Sequence, residues 1–222
     1  MTQPHESDHE LRRAISDELE WTPSIDSDQI SVAVTDGAVT LTGQVTSYPQ
    51  KQQAVKAALR VRGVTAIADE IVVHHPSGAW SDTDIAREAA VALDNTVIIT
   101  PGAVKATVHD HAITLTGTVA WQYEREAAER AVAPLRGVST VHNDITLLPP
   151  EPVDAAHAKS GITSALVRGA HADAQRISVE IDGSEVILTG VVSSWAERRQ
   201  AAHAAWSIPG VTEVDNRLTV SG

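Results

Sequence analysis

A chain of 222 residues with a formal net charge of −12, 42% hydrophobic residues and 21% charged ones has the make-up of a soluble globular protein. It contains no cysteine, which excludes disulfides, thiolate nucleophiles and cysteine-based zinc sites. Each third of the chain carries more Asp and Glu than Lys and Arg, so nucleic acid, which needs a positive footprint, is not an expected partner.

The first residues, MTQPHESDHELRR, are charged and lack an apolar stretch, so no secretory signal is expected there. No window approaches the ~18 apolar residues needed to span a bilayer. The expected location is the cytoplasm, with no transmembrane segment.

One phrase is written three times: VTLTGQV (Val39 to Val45), ITLTGTV (Ile113 to Val119) and VILTGVV (Val186 to Val192). Its glycines, Gly43, Gly117 and Gly190, recur at nearly constant spacing, and a second set, Gly63, Gly137 and Gly210, follows each at the same distance. Two landmarks in fixed relation mark a tandem array of three units of ~70 residues. The expected units are residues 8–75, 80–148 and 153–221, with linkers at HHPSGAW and the Pro-rich LLPPEPVD.

Each unit opens on an apolar stripe at helical spacing: Leu11, Ile15, Leu19; Ile85, Ala89, Leu93; Ala158, Ile162, Leu166. Alternation then predicts a half-buried strand, as in Ile30, Val32 and Val34 or Ile177, Val179 and Ile181. Turn residues TDG, HDH and IDGS predict a hairpin, with one residue inserted in the third copy. In the second strand the glycine falls on the core face, where its missing side chain lets a helix backbone approach. A phosphate-cradling role would need several glycines opening a helix, which the pattern lacks.

The second helix has a small inner stripe: Ala54, Ala57, Ala58, Val61; Ala128, Ala131, Val132, Leu135; Ala201, Ala204, Ala205, Ile208. Ser47 with Gln50 and Ser194 with Glu197 fit a capping box, whereas Trp121 replaces the serine in copy two and predicts a looser start. The helix is expected to end on Gly63, Gly137 or Gly210 at a left-handed C′ position. A last strand follows, parallel to the second because a helical crossover separates them. The fold class is therefore α+β: three tandem αββαβ units, each a three-stranded mixed sheet with two helices on one face.

This pattern resembles the BON domain, a bacterial module named for osmotically induced and nodulation proteins. The resembling residues are the Val/Ile-x-Leu-Thr-Gly strand, the helices EREAAERAV and ERRQAAHAAW, and the exits RGVTAIADEI, RGVSTVHNDI and PGVTEVDNRL. The resemblance implies a non-enzymatic module that binds phospholipid surfaces or membrane-associated partners, in some relatives under osmotic stress. The competing expectation is a protein-interaction scaffold or chaperone-like protein, which the acidic balance favours.

The residues themselves carry no catalytic motif: no nucleophile elbow, no zinc-protease helix and no Walker loop. No catalytic residue, metal or cofactor is expected. His109 and His111 could share a metal with a third ligand, but copies one and three place ordinary turn residues there, so both read as exposed turn histidines. His74-His75 reads as a solvated linker. Asp69, Asn143 and Asn216 recur near each exit, which predicts a hydrogen bond to nearby backbone.

Aromatic residues are scarce, so their places matter. Tyr48 and Trp195 share one position just inside the second helix, and Trp121 and Tyr123 flank it in copy two. With Arg198, Arg199 and Trp206 they form the expected lipid or partner surface, Trp195, Arg198 and Arg199 acting as an interfacial foot. Ile187 and Val191 make the third sheet apolar on its outer face. That face, or the flank bearing Trp206, is expected to dock on another copy of the unit or another chain.

Overall fold

A computed structural model describes residues 4–75, 80–150, 153, 158, 160–164 and 177–221. Among the described residues three separate three-stranded sheets run along the chain, and none of them is shared between units. Unit 1 comprises α1 (Pro4–Glu20), β1 (Ile30–Thr35), β2 (Ala38–Val45), α2 (Tyr48–Ala58) and β3 (Ala66–Val73). Unit 2 repeats it as α3 (Asp82–Asp94), β4 (Val104–His109), β5 (Ala112–Val119), α4 (Gln122–Val132) and β6 (Thr140–Leu147). Unit 3 contributes β7 (Ile177–Asp182), β8 (Glu185–Val192), α5 (Trp195–Trp206) and β9 (Glu213–Val220). Its opening helix is described at Ala158 and residues 160–164; the expected Leu166 lies outside the described residues.

Register repeats from unit to unit. The hairpin is antiparallel, with Ile30 opposite Gly43, Val104 opposite Gly117 and Ile177 opposite Gly190. The third strand lies parallel to the second, with Gly43, Gly117 and Gly190 opposite Ile71, Ile145 and Leu218. The helical stripes form the core: Ile15, Leu19, Ile85, Ala89 and Ile162 are all buried against the inner strand residues and the small Ala54, Ala57, Ala128, Ala201 and Ala205.

Four local expectations are corrected. The third hairpin carries no insertion, because Asp182 pairs with Glu185 just as Thr35 pairs with Ala38 and His109 with Ala112. Every loop is two residues long. Units 1 and 2 place both loop residues at positive φ (Asp36 and Gly37, Asp110 and His111), whereas unit 3 places Gly183 first.

The strand glycine does serve close approach, but not to an α-helix; in unit 1 the approaching residue ends a short 3-10 helix, Ser27–Gln29. A Cβ on Gly43 would collide with the carbonyl oxygen of Gln29, and one on Gly117 with that of Ala103, the residues just before the hairpin's first strand. Both glycines also sit at φ near +140°, which side chains rarely tolerate. The approaching backbone is the neighbouring strand's own lead-in.

The second helix stops earlier than its glycine. The C-caps are Leu59, Ala133 and Ser207, all right-handed, while Gly63, Gly137 and Gly210 adopt positive φ in the turn leading to the last strand. Finally, α4 starts firmly without a serine. The Glu124 carboxylate accepts N–H bonds from Ala120 and Trp121 at 3.0 and 2.9 Å. Gln50 and Glu197 take the matching bonds from Thr46 and Ser193. Ser194 accepts from the Glu197 N–H, whereas the Ser47 side chain makes no cap bond. The acceptor three residues in, rather than the cap residue, is what the units share.

Candidate functional site

The recurrent exit residues are tied to backbone, as their geometry requires. Asn143 donates to the Arg125 carbonyl at 3.0 Å and Asn216 to the Arg198 carbonyl at 3.0 Å, and each accepts from the N–H two residues on. Asp69 has no N–H to donate. There Lys51 substitutes, reaching the Ile71 carbonyl at 2.7 Å and the Asp69 carboxylate at 3.4 Å. These polar groups hold helix to sheet.

The two turn histidines do not converge. His109 is exposed beside the Asp110 carboxylate, whereas His111 is half-buried with its Nδ1 2.8 Å from the Gly137 carbonyl oxygen. Asp82 accepts the N–H groups of Asp110 and His111 at 2.9 and 3.0 Å; the His111 bond is the main reason its carboxyl lies below the usual range. Asp8 likewise accepts the N–H groups of Asp36 and Gly37, at 2.9 and 3.2 Å. No group of three potential metal ligands occurs among the described residues.

The expected solvated linker is likewise corrected at His75, which stacks on His111 with ring centroids 5.0 Å apart. Its Nε2 is buried and has no hydrogen-bond partner among the described residues. Burial, then the neighbouring His111 and His74, holds the His75 imidazole below its usual 6.5.

The aromatic residues are drawn into contacts between units. Trp195 donates its indole N–H to the Val64 carbonyl of unit 1 at 2.8 Å, and the Arg198 guanidinium lies over the Trp195 ring at 5.0 Å. Arg198 also donates to the Asn216 carbonyl at 2.7 Å, so two of the three members of the expected foot, Trp195 and Arg198, are engaged within the molecule. Arg199 is exposed and Tyr48 is buried in unit 1. Trp206 receives Arg125 of unit 2 over its ring at 4.8 Å, so the flank of Trp206 docks on a second unit of the same chain. Burial pushes the Arg125 guanidinium below its usual value, partly offset by Glu126 and Glu129. Ile187 and Val191 are half-buried.

Contacts thus close a cycle: unit 1 with unit 2 through His75 and His111, unit 2 with unit 3 through Arg125 and Trp206, and unit 3 with unit 1 through Trp195 and Val64. The buried side chains of units 1 and 2 form one continuous cluster, while those of unit 3 form another. At the junction of units 2 and 3, Trp121, Gln122, Tyr123 and Glu126 face His203, Trp206 and Ile208 across a cleft of about 470 Å³.

Elsewhere, large apolar side chains stand in water at corresponding loops. Trp21, just after α1, is 83% exposed; Val97 and Ile98, just after α3, are 96% and 50% exposed. These residues belong to no helical or strand period of the sequence. Their signal was an apolar residue placed after the helical stripe had ended.

With this geometry in place the comparisons are specific. The BON domain model matches residues 7–74, 81–149 and 154–222. The chain belongs to the BON domain family. Osmotically-inducible protein Y of Escherichia coli (strain K12) is 34% identical over 127 residues, which cover 55% of this chain and 63% of that relative. The match therefore spans less than two thirds of the relative's length. Among solved structures, the C-terminal domain of CdsD, the structural protein of the type III secretion system of Chlamydia trachomatis, shares 14% identity over 96% of this chain and 98% of its own, with a TM-score of 0.27. The periplasmic domain of the inner membrane protein PrgH from S. typhimurium shares 13% over 87% and 95%, with a TM-score of 0.22. Both superpose too loosely to define a common arrangement.

Proposed function

We propose that this chain is a non-catalytic binding protein of the osmotic-stress setting that attaches to phospholipid surfaces or membrane-associated partners from the cytoplasmic side. The observation that carries this reading is the exposure of Trp21, Val97 and Ile98 at corresponding loops of units 1 and 2. Apolar tips of this kind are costly in water and gain free energy when an interface covers them. No helix among the described residues is long and apolar enough to cross a membrane. The name of the Escherichia coli relative supports the stress setting. The acidic balance limits attraction to anionic lipid, so binding is weak and carried by the loop tips.

Flotation with mixed phosphatidylcholine and phosphatidylglycerol vesicles tests it. Trp21→Ala together with Ile98→Ser should lower the floated fraction at least threefold, while Arg199→Glu changes it little. Flotation unchanged by the loop substitutions would remove lipid from the account. A second reading, a protein-interaction scaffold, is favoured by one observation: Trp195 and Arg198 are already occupied within the molecule.

A further inference from the structure

The two junctions made by unit 3 place the start of one unit's second helix against the end of the next unit's. At the junction of units 3 and 1, Ser194, Trp195 and Glu197 face Leu59 to Val64 across a cleft of about 240 Å³. There the Trp195 indole fills the contact and its N–H finds the Val64 carbonyl. At the junction of units 2 and 3 the same helix position is Gln122, which is smaller and polar, and the cleft is about 470 Å³. The space that an indole occupies in one junction is open in the other.

Three features of that opening specify an occupant. Its walls are aromatic: Trp121 and Tyr123 lie nearly parallel, 6.4 Å between centroids and 10° between planes, with Trp206 opposite. Offset stacking on such rings favours a flat ring. Gln122 carries a buried side-chain oxygen with no donor among the described residues, while its amide nitrogen donates to Glu126 at 3.1 Å. An unpaired buried acceptor calls for an N–H or O–H donor. Glu126, the carboxylate lining the cleft, bonds both Gln122 and Arg130, and the Arg125 guanidinium already lies over Trp206, so the site favours a neutral group over a further cation.

We propose that the cleft between units 2 and 3 binds a tryptophan side chain exposed on a partner polypeptide. The incoming indole packs against Trp121, Tyr123 and the face of Trp206 that Arg125 leaves open, and turns the Gln122 amide so that Oε1 accepts its N–H, as the Val64 carbonyl accepts from Trp195 within the chain. The site does not depend on the loop tips that meet lipid.

Saturation-transfer NMR with the intact chain and N-acetyl-tryptophanamide tests it. The expected dissociation constant is about 1 mM. The 1-methyl derivative, which lacks the N–H, should bind at least fivefold more weakly. Gln122→Trp supplies the ring internally and should abolish the signal. Gln122→Leu should erase the discrimination against the 1-methyl derivative. Tyr123→Ala, at a position 53% exposed and safe for folding, should weaken binding at least threefold. Absence of binding, binding that survives Gln122→Trp in a folded protein, or binding of free indole but not of N-acetyl-tryptophanamide would each overturn the proposal.

Discussion

The junction of units 3 and 1 and that of units 2 and 3 use the same backbone elements with different side chains. In the first, Trp195 crosses the gap, bonds the Val64 carbonyl and carries Arg198 on its ring. In the second, the contact runs the other way: Arg125 of unit 2 reaches over Trp206 of unit 3, and Gln122 leaves a cleft. Triplication supplied three equal frames, and single substitutions at one helix position turned one junction into a clasp and left another open. The lesson is that a repeat's strand and helix positions fix the unit, whereas its helix-start position sets how units meet.

The largest effect should come from a position the units share. Gly43→Ala and Gly117→Ala each drive a Cβ into a backbone carbonyl at a strained φ, and each should cost about 3 kcal/mol or more. Equal losses in urea melts would show that the frames are equivalent. A loss in only one unit would break the comparison at its root.

Trp195→Ala comes next. It removes a ring and an indole hydrogen bond from a partly buried contact and should cost about 2–3 kcal/mol. Gln122→Ala, at the matching position, should stay within ~0.5 kcal/mol. If the two substitutions cost the same, the junctions do not differ as described.

The smallest effect concerns the third junction. The folded His75 value lies below its usual 6.5, so the folded state binds fewer protons than the unfolded one as pH falls. Its contribution is complete above pH 6.5 and is lost as pH drops from there to the folded value. After solvent screening the loss should be smaller than either of the two effects above. His75→Asn should flatten the melting-temperature profile between pH 7.5 and 5.5, and an unchanged slope would remove the histidine stack from the account.

Much of the unit was legible because its signals are periodic. The stripe Leu11, Ile15, Leu19 and the small residues Ala54, Ala57 and Ala58 are buried as their spacing requires. The strand glycine was legible as a point of close approach, but not which backbone approaches, because the Gln29 carbonyl and an α-helix leave the same mark on the sequence. Counting residues around IDGS suggested an insertion, yet pairing of Asp182 with Glu185 shows a two-residue loop. Trp121 drew attention away from Glu124, the acceptor that starts α4. The junctions were the least legible. Trp195 meeting Val64 joins residues far apart in sequence, and no local period encodes it.

The three units close on one another, with unit 3 returning to unit 1. Small-angle X-ray scattering of the intact chain measures this directly. A compact body of this length has a radius of gyration of about 17 Å, and the account predicts that value for the wild-type chain. A radius above ~22 Å, expected for three units strung out along their linkers, would contradict it.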